Sequence, residues 1–117
     1  MRRDEFERVV DEALEELPPW VVAAVSNLHV VVEDRPTREQ DPDGHGLLGI
    51  YEGVSLLDRG VDYSGYLPDR IVVFMRPHLE LGLSKDDLRA EIRTTVLHEM
   101  AHHLGIDDER LAELGWD

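Results

Sequence analysis

Hydrophobic residues recur at helical spacing from the start of the chain. Phe6, Val9, Val10, Ala13, Leu14 and Leu17 fall three or four positions apart with acids between them, which predicts an amphipathic helix over residues 3–17. Pro18-Pro19 stops it, and Trp20 to Val25 predicts a short second helix, since proline is tolerated in a first turn. The pattern then changes to β-branched runs. Leu28 to Glu33 reads as a strand, Leu47 to Gly53 as a second and Arg70 to Met75 as a third. Between the first two lies DRPTREQDPDGHG, residues 34–46, long for a connection and therefore either mobile or part of a binding rim. Leu57 to Asp69, punctuated by Gly60, Gly65 and Pro68, reads as a second irregular segment.

The strongest helical signal comes late. Ser84 precedes Lys85-Asp86-Asp87 in a Ser-x-x-Asp capping pattern, and Leu88, Ile92, Val96 and Met100 supply an apolar stripe. This helix should run from about Lys85 to Leu104 and stop at Gly105, which suits the left-handed position past a helix end. Asp107 or Asp108 then starts a short last helix through Leu114. The order of elements implies one layer of helices packed on a small sheet, an α+β architecture.

Composition narrows the partners. With 117 residues, 42% of them apolar and 32% charged, the chain is expected to fold as one domain spanning residues 1–117. Twelve basic against 26 acidic side chains give a formal charge of -14, which repels phosphate backbones and anionic membranes, so neither nucleic acid nor membrane is an expected partner. The N-terminal residues lack the apolar core of a signal peptide, and the run from Trp20 to Val32 is interrupted by polar residues and falls short of the ~20 needed to span a bilayer. A cytoplasmic location is the expectation, and an oligomer is not indicated. Cysteine is absent, so a metal would have to be held by His, Asp or Glu.

His98-Glu99-Met100-Ala101-His102 lies inside the long helix, where a spacing of four puts both imidazoles on one face, a turn apart. They can converge on one metal ion. Glu99 projects at an angle to them and suits a general base that takes a proton from metal-activated water. A catalytic zinc usually has a third protein ligand. Gly105 allows a sharp turn after the helix, and Asp108 stands ten residues beyond His98, the third-ligand position of the HExxHxxGxxH pattern. Asp108 is therefore the favoured third ligand, with Glu109, Glu113 and Asp107 as alternatives. For this chain's His and Glu content an HExxH match arises by chance at roughly 3%, and Gly105 with an acid or His at 108 lowers that to roughly 0.1%, so coincidence accounts for it poorly.

The other histidines carry weaker signals. His103 lies ~100° of helix rotation from His102 and faces away from the metal, towards a supporting hydrogen bond or solvent. His29 and His78 read as satisfied or exposed side chains. His45, Tyr51, Tyr63, Tyr66 and Arg70 are candidates to reach a cleft and stabilise an oxyanion, with no spacing that selects one of them.

Taken with Leu47-Leu48-Gly49-Ile50-Tyr51-Glu52-Gly53-Val54, with Pro68-Asp69-Arg70-Ile71, Phe74 and Pro77, and with HEMAHHLGIDDERL, these residues make the chain resemble the small bacterial zincin-like metallopeptidases. The resemblance implies a minimal zincin fold: a small mixed sheet of three or four strands above a cleft, with the active-site helix beneath it. It also implies one zinc ion at His98, His102 and Asp108, with a sheet edge, Leu48 to Gly53 or Arg70 to Met75, pairing with extended substrate. Only nine residues follow Asp108, so no Met-turn or lower subdomain is expected. Two functions compete on this reading. One is a zinc metallopeptidase acting on peptides or unfolded segments, and the other is a zinc-stabilised protein-interaction module that hydrolyses little. A metal-free helical scaffold is a third.

Overall fold

A computed structural model describes residues 1–25, 27–53 and 69–114, with Asp108 described by its backbone alone. The expected Leu57–Asp69 segment, with Tyr63 and Tyr66, lies outside the described residues save for Asp69. Among the described residues eight elements follow in order: α1 (Arg3–Glu15), α2 (Pro19–Ala24), β1 (Leu28–Glu33), β2 (Gly49–Glu52), β3 (Asp69–Phe74), α3 (Met75–Leu79), α4 (Lys85–Leu104) and α5 (Asp108–Leu114). The α+β expectation holds, with a small mixed sheet packed on helices. None of the described helices is long and apolar enough to cross a membrane.

The sheet has the order β1-β3-β2, with β1 parallel and β2 antiparallel to β3. Arg70 to Met75 was one of two candidate edges, but β3 lies in the centre, where its neighbours use both sides of its backbone. Its composition explains the position: Ile71, Val72, Val73 and Phe74 are all fully buried, as a strand covered on both faces requires. On one face Ile71 and Val73 join a core built from Phe6, Val9, Val10 and Ala13 of α1 and Leu88, Ile92, Val96 and Met100 of α4. These are the two stripes that the helical spacing picked out.

Two boundaries differ from the expectation by two residues, and one element was not expected, each for a local reason. Helix α1 ends at Glu15, since Leu17 sits next to Pro18, which restricts the residue before it to extended conformations. Strand β2 begins at Gly49, leaving Leu47 and Leu48 outside the sheet, although the Phe74 amide still donates to Leu48 O at 2.9 Å. The five-residue α3 is not visible in the hydrophobic pattern, because it is shorter than two turns and has Pro77 inside it.

Helix α4 is held by its ends and by its middle. The Ser84 hydroxyl accepts from the Asp87 amide at 3.2 Å, and Asp86 and Asp87 favour the positive end of the helix dipole. At the other end Gly105 takes φ 77°, and the Ile106 amide donates to Ala101 O while that of Gly105 donates to His102 O, the pairing of a Schellman motif. Midway, His78 of α3 is fully buried: its Nδ1–H donates to Phe74 O at 2.7 Å, and its Nε2 lies 2.9 Å from Thr95 Oγ1. The Thr95 hydroxyl hydrogen is shared between that nitrogen and Glu91 O, 3.1 Å away.

The loop of residues 34–46 is pinned down. Arg35 makes a bidentate pair with Glu80 at 3.1 and 2.6 Å, and Asp41 accepts from the amides of His45, Gly46 and Leu47. Those amide bonds, that of Leu47 above all, hold the Asp41 carboxyl below its ordinary pKa.

Where β2 crosses α4, a Cβ at Gly49 would lie 2.7 Å from the Thr95 methyl and 3.2 Å from Val72 O. Thr95 is tied on its hydroxyl side and cannot rotate away without losing hydrogen bonds. Gly49→Ala is therefore expected to destabilise the fold by about 1–3 kcal/mol, measured as a lower urea midpoint at unchanged slope. A second expectation concerns pH. Burial pulls the His78 pKa below 6.5, against the Phe74 carbonyl and Glu91, which raise it. The unfolded chain thus takes up a proton that the folded chain refuses. The stability linked to His78 is complete above about 6.5 and is lost as pH falls from there towards the lowered folded-state value. Urea midpoints measured across that range should fall with pH in the wild type and fall less steeply in His78→Gln.

Candidate metal centre

Glu91, Thr95, His98 and His102 succeed one another at intervals of four, three and four, and so share one face of α4. Opposite them stand Leu47, Leu48 and Gly49, where the chain enters β2. Together with Thr94 and Glu99 they enclose an open groove of about 450 Å³.

The His98 and His102 rings lie 4.7 Å apart between centroids and are inclined at 76°. Glu99 sits deeper, its side chain 8% exposed against 41% for His102, and its Oε1 is 3.1 Å from His102 Nδ1. Its other oxygen, Oε2, is buried and has no hydrogen-bond partner among the described residues. Burial pushes the Glu99 carboxyl above the ordinary carboxylate range, while His102 and His98 pull it part of the way back. A buried carboxylate with one unmet acceptor, beside two imidazoles and open to a groove, can accept a proton from a small molecule held there.

The donor chemistry fits a divalent ion such as zinc, which takes imidazole nitrogen and carboxylate oxygen. Among the described residues no group of three His, Asp or Glu is placed to hold a metal on its own. The side chain of Asp108 lies outside the described residues. Its backbone opens α5, three residues beyond the left-handed turn at Gly105. Of the alternatives, Asp107 accepts from the Arg110 amide at 2.8 Å, Glu113 pairs with Arg110 at 2.7 Å, and Glu109 is exposed.

The candidate oxyanion donors are engaged elsewhere or lie outside the described residues, as Tyr63 and Tyr66 do. The Tyr51 hydroxyl donates to Asp69 Oδ2 at 2.5 Å, Arg70 lies between Glu33 and Glu52, and His45 is exposed near Asp43. His103 does face away from the groove, and it is fully buried. Its Nδ1 is 3.2 Å from Asp69 Oδ2 and 3.3 Å from the Tyr51 hydroxyl, so the last turn of α4 is tied to β2 and β3 at once. Sequence reasoning missed Asp69 here, and no spacing could have found it, because the pairing depends on strand register. It also missed Glu91 and Thr95, which the interval rule applied backwards from His98 would have placed on the same face. A second hollow of about 390 Å³ lies by the 34–46 loop; of its charged groups Arg35 and Glu80 pair with each other, Asp41 is bonded to backbone amides, and Arg38 is the other.

No functionally curated protein matches the chain. Among solved structures, a conserved hypothetical protein from Thermus thermophilus is similar to it, with 27% identity and a TM-score of 0.60 over 97% of this chain and 99% of that one. The zincin-like metallopeptidase family matches residues 25–116, a span that holds all three strands and the whole of α4, and on that match the chain belongs to this family.

Proposed function

We propose that the protein is a zinc-dependent peptidase acting on peptides or unfolded segments, in which His98, His102 and Asp108 hold the metal and Glu99 is the general base. The observation that carries this reading is Glu99 itself: a buried carboxylate with one oxygen unpartnered, between two imidazoles on the wall of an open groove. Family membership supports metallopeptidase chemistry in general terms. Zinc, when bound, would polarise the scissile carbonyl and bring the pKa of water at the metal toward ~7.

The rest is done by the chain. The Glu99 carboxylate takes the proton from the attacking water and delivers it to the departing amine, beside His102 at 3.1 Å. The burial that raises the Glu99 pKa makes it a stronger base than an exposed carboxylate and matches it better to neutral pH. Leu47 and Leu48 offer an apolar wall for a side chain beside the scissile bond. Strand β2 is the edge of the described sheet next to the groove, the side on which extended substrate would lie.

Protein purified without chelator is expected to carry close to one zinc per chain by elemental analysis. His98→Ala and His102→Ala should each reduce that to under about 0.1. Glu99→Gln should keep the zinc and lose cleavage of a peptide library by about 10²–10⁴-fold. Zinc retained at full occupancy without any cleavage by the wild type would replace this reading with that of a zinc-stabilised interaction module.

A further inference from the structure

We propose that Glu91 is a specificity residue, selecting a lysine or arginine side chain of the bound peptide about three residues away from the bond to be cleaved. The inference rests on the peptidase reading above and extends it to a substrate class.

Glu91 lies two turns before His98 on the same face of α4 and lines the same groove. The lysine and the arginines of its own helix are committed to α1 and the residue that caps it: Lys85 and Arg89 approach Glu5, and Arg93 pairs with Glu16 at 2.6 Å. Each of those contacts is on the far side from the groove. No lysine or arginine lines the groove, and none of the described ones pairs with the Glu91 carboxylate. Its titratable neighbour His78 is kept by burial towards the neutral form and therefore does not neutralise the acid. A half-buried carboxylate is thus left at one end of a groove whose other charged acid, Glu99, is the proposed base. An acid in that position attracts a cation that enters the groove, and a peptide supplies one as an ammonium or guanidinium group.

The distance sets the position of that partner. Seven residues of α-helix rise by about 10 Å, and an extended peptide covers about 3.3 Å per residue, so a chain lying along the groove spans the interval in about three residues. The formal charge of -14 attracts basic peptides to the whole surface, which makes the discrimination due to Glu91 a matter of position along the peptide rather than of charge alone.

The test uses the zinc-supplemented full chain carrying Glu99→Gln, so that peptides bind without being cut, and reads fluorescence anisotropy. The probes are labelled nine-residue peptides with a central leucine and one lysine moved through each position on either side, against the same peptides with glutamine. One lysine position about three residues from the centre should bind about fivefold more tightly than its glutamine counterpart, the upper range for a partly exposed ion pair. Adding Glu91→Gln should abolish that ratio, Glu91→Lys should reverse it in favour of a glutamate peptide, and Asp11→Asn, which removes an exposed acid from α1, should leave it unchanged. Circular dichroism melts establish that each variant folds, and Glu91→Gln keeps the size of the side chain should Glu91→Lys fail. Equal binding of lysine and glutamine peptides at every position overturns the proposal, as does a preference that survives Glu91→Lys, or no binding at all. Cleavage of the same peptides by the wild type is scored separately. A lysine preference without cleavage sinks the peptidase reading and leaves the selectivity, whereas cleavage indifferent to lysine does the reverse.

Discussion

Where β2 crosses α4, the strand backbone at Gly49 comes so close to the Thr95 methyl that no side chain fits between them, and it lies in contact with the Glu99 side chain. That crossing decides how far Leu47 and Leu48 stand from the His98 and His102 face, and so how wide the groove is. It also covers the inner side of Glu99, which removes water from the carboxylate and raises its affinity for a proton. One missing Cβ thus links the strand that forms one wall, the helix that carries the chemistry and the basicity of the proposed base.

A helix pressed against a strand can still rotate about its axis, and buried polar contacts at two levels prevent this. Midway along α4, Thr95 is held by His78. In the last turn, His103 reaches Asp69 and Tyr51. Each contact satisfies groups that would be costly to bury alone, so a small rotation of α4 would break several hydrogen bonds together. His98, Glu99 and His102 lie between or beside these two anchors and inherit their precision. Asp69 in turn leans on the strand end near Gly53, where a Cβ would collide with its carboxylate.

Much of this was legible in the order of residues, and the reason is that it is local. The stripe Phe6, Val9, Val10, Ala13 and the stripe Leu88, Ile92, Val96, Met100 each lie within one element, and they meet as spacing alone requires. The Ser84 cap and the Gly105 stop bounded α4 for the same reason. The HExxH segment placed two imidazoles and a carboxylate together because one helix holds all three. Sheet order was not legible: β3 is central because it pairs with a strand about forty residues earlier and another about twenty earlier, and no short-range pattern encodes that choice. Asp69, Tyr51 and His103 were unreadable as a set for the same cause. Helix α3 was hidden by its length and by Pro77, and Leu47 and Leu48 looked like strand residues because apolar side chains wall a groove as readily as they fill a sheet.

The two walls of the groove come from opposite halves of the chain, residues 47–49 and 91–102. During synthesis the strand segment leaves the ribosome long before the helix that completes it, and the core that would hold either in place needs Ile92, Val96 and Met100 as well as α1. The nascent sheet therefore has no covering helix, and the two imidazoles have no opposing wall, until α4 has emerged. Burial of Glu99, and with it the raised proton affinity of its carboxylate, arises only in the finished fold, so the groove is completed in the order in which the ribosome releases its parts.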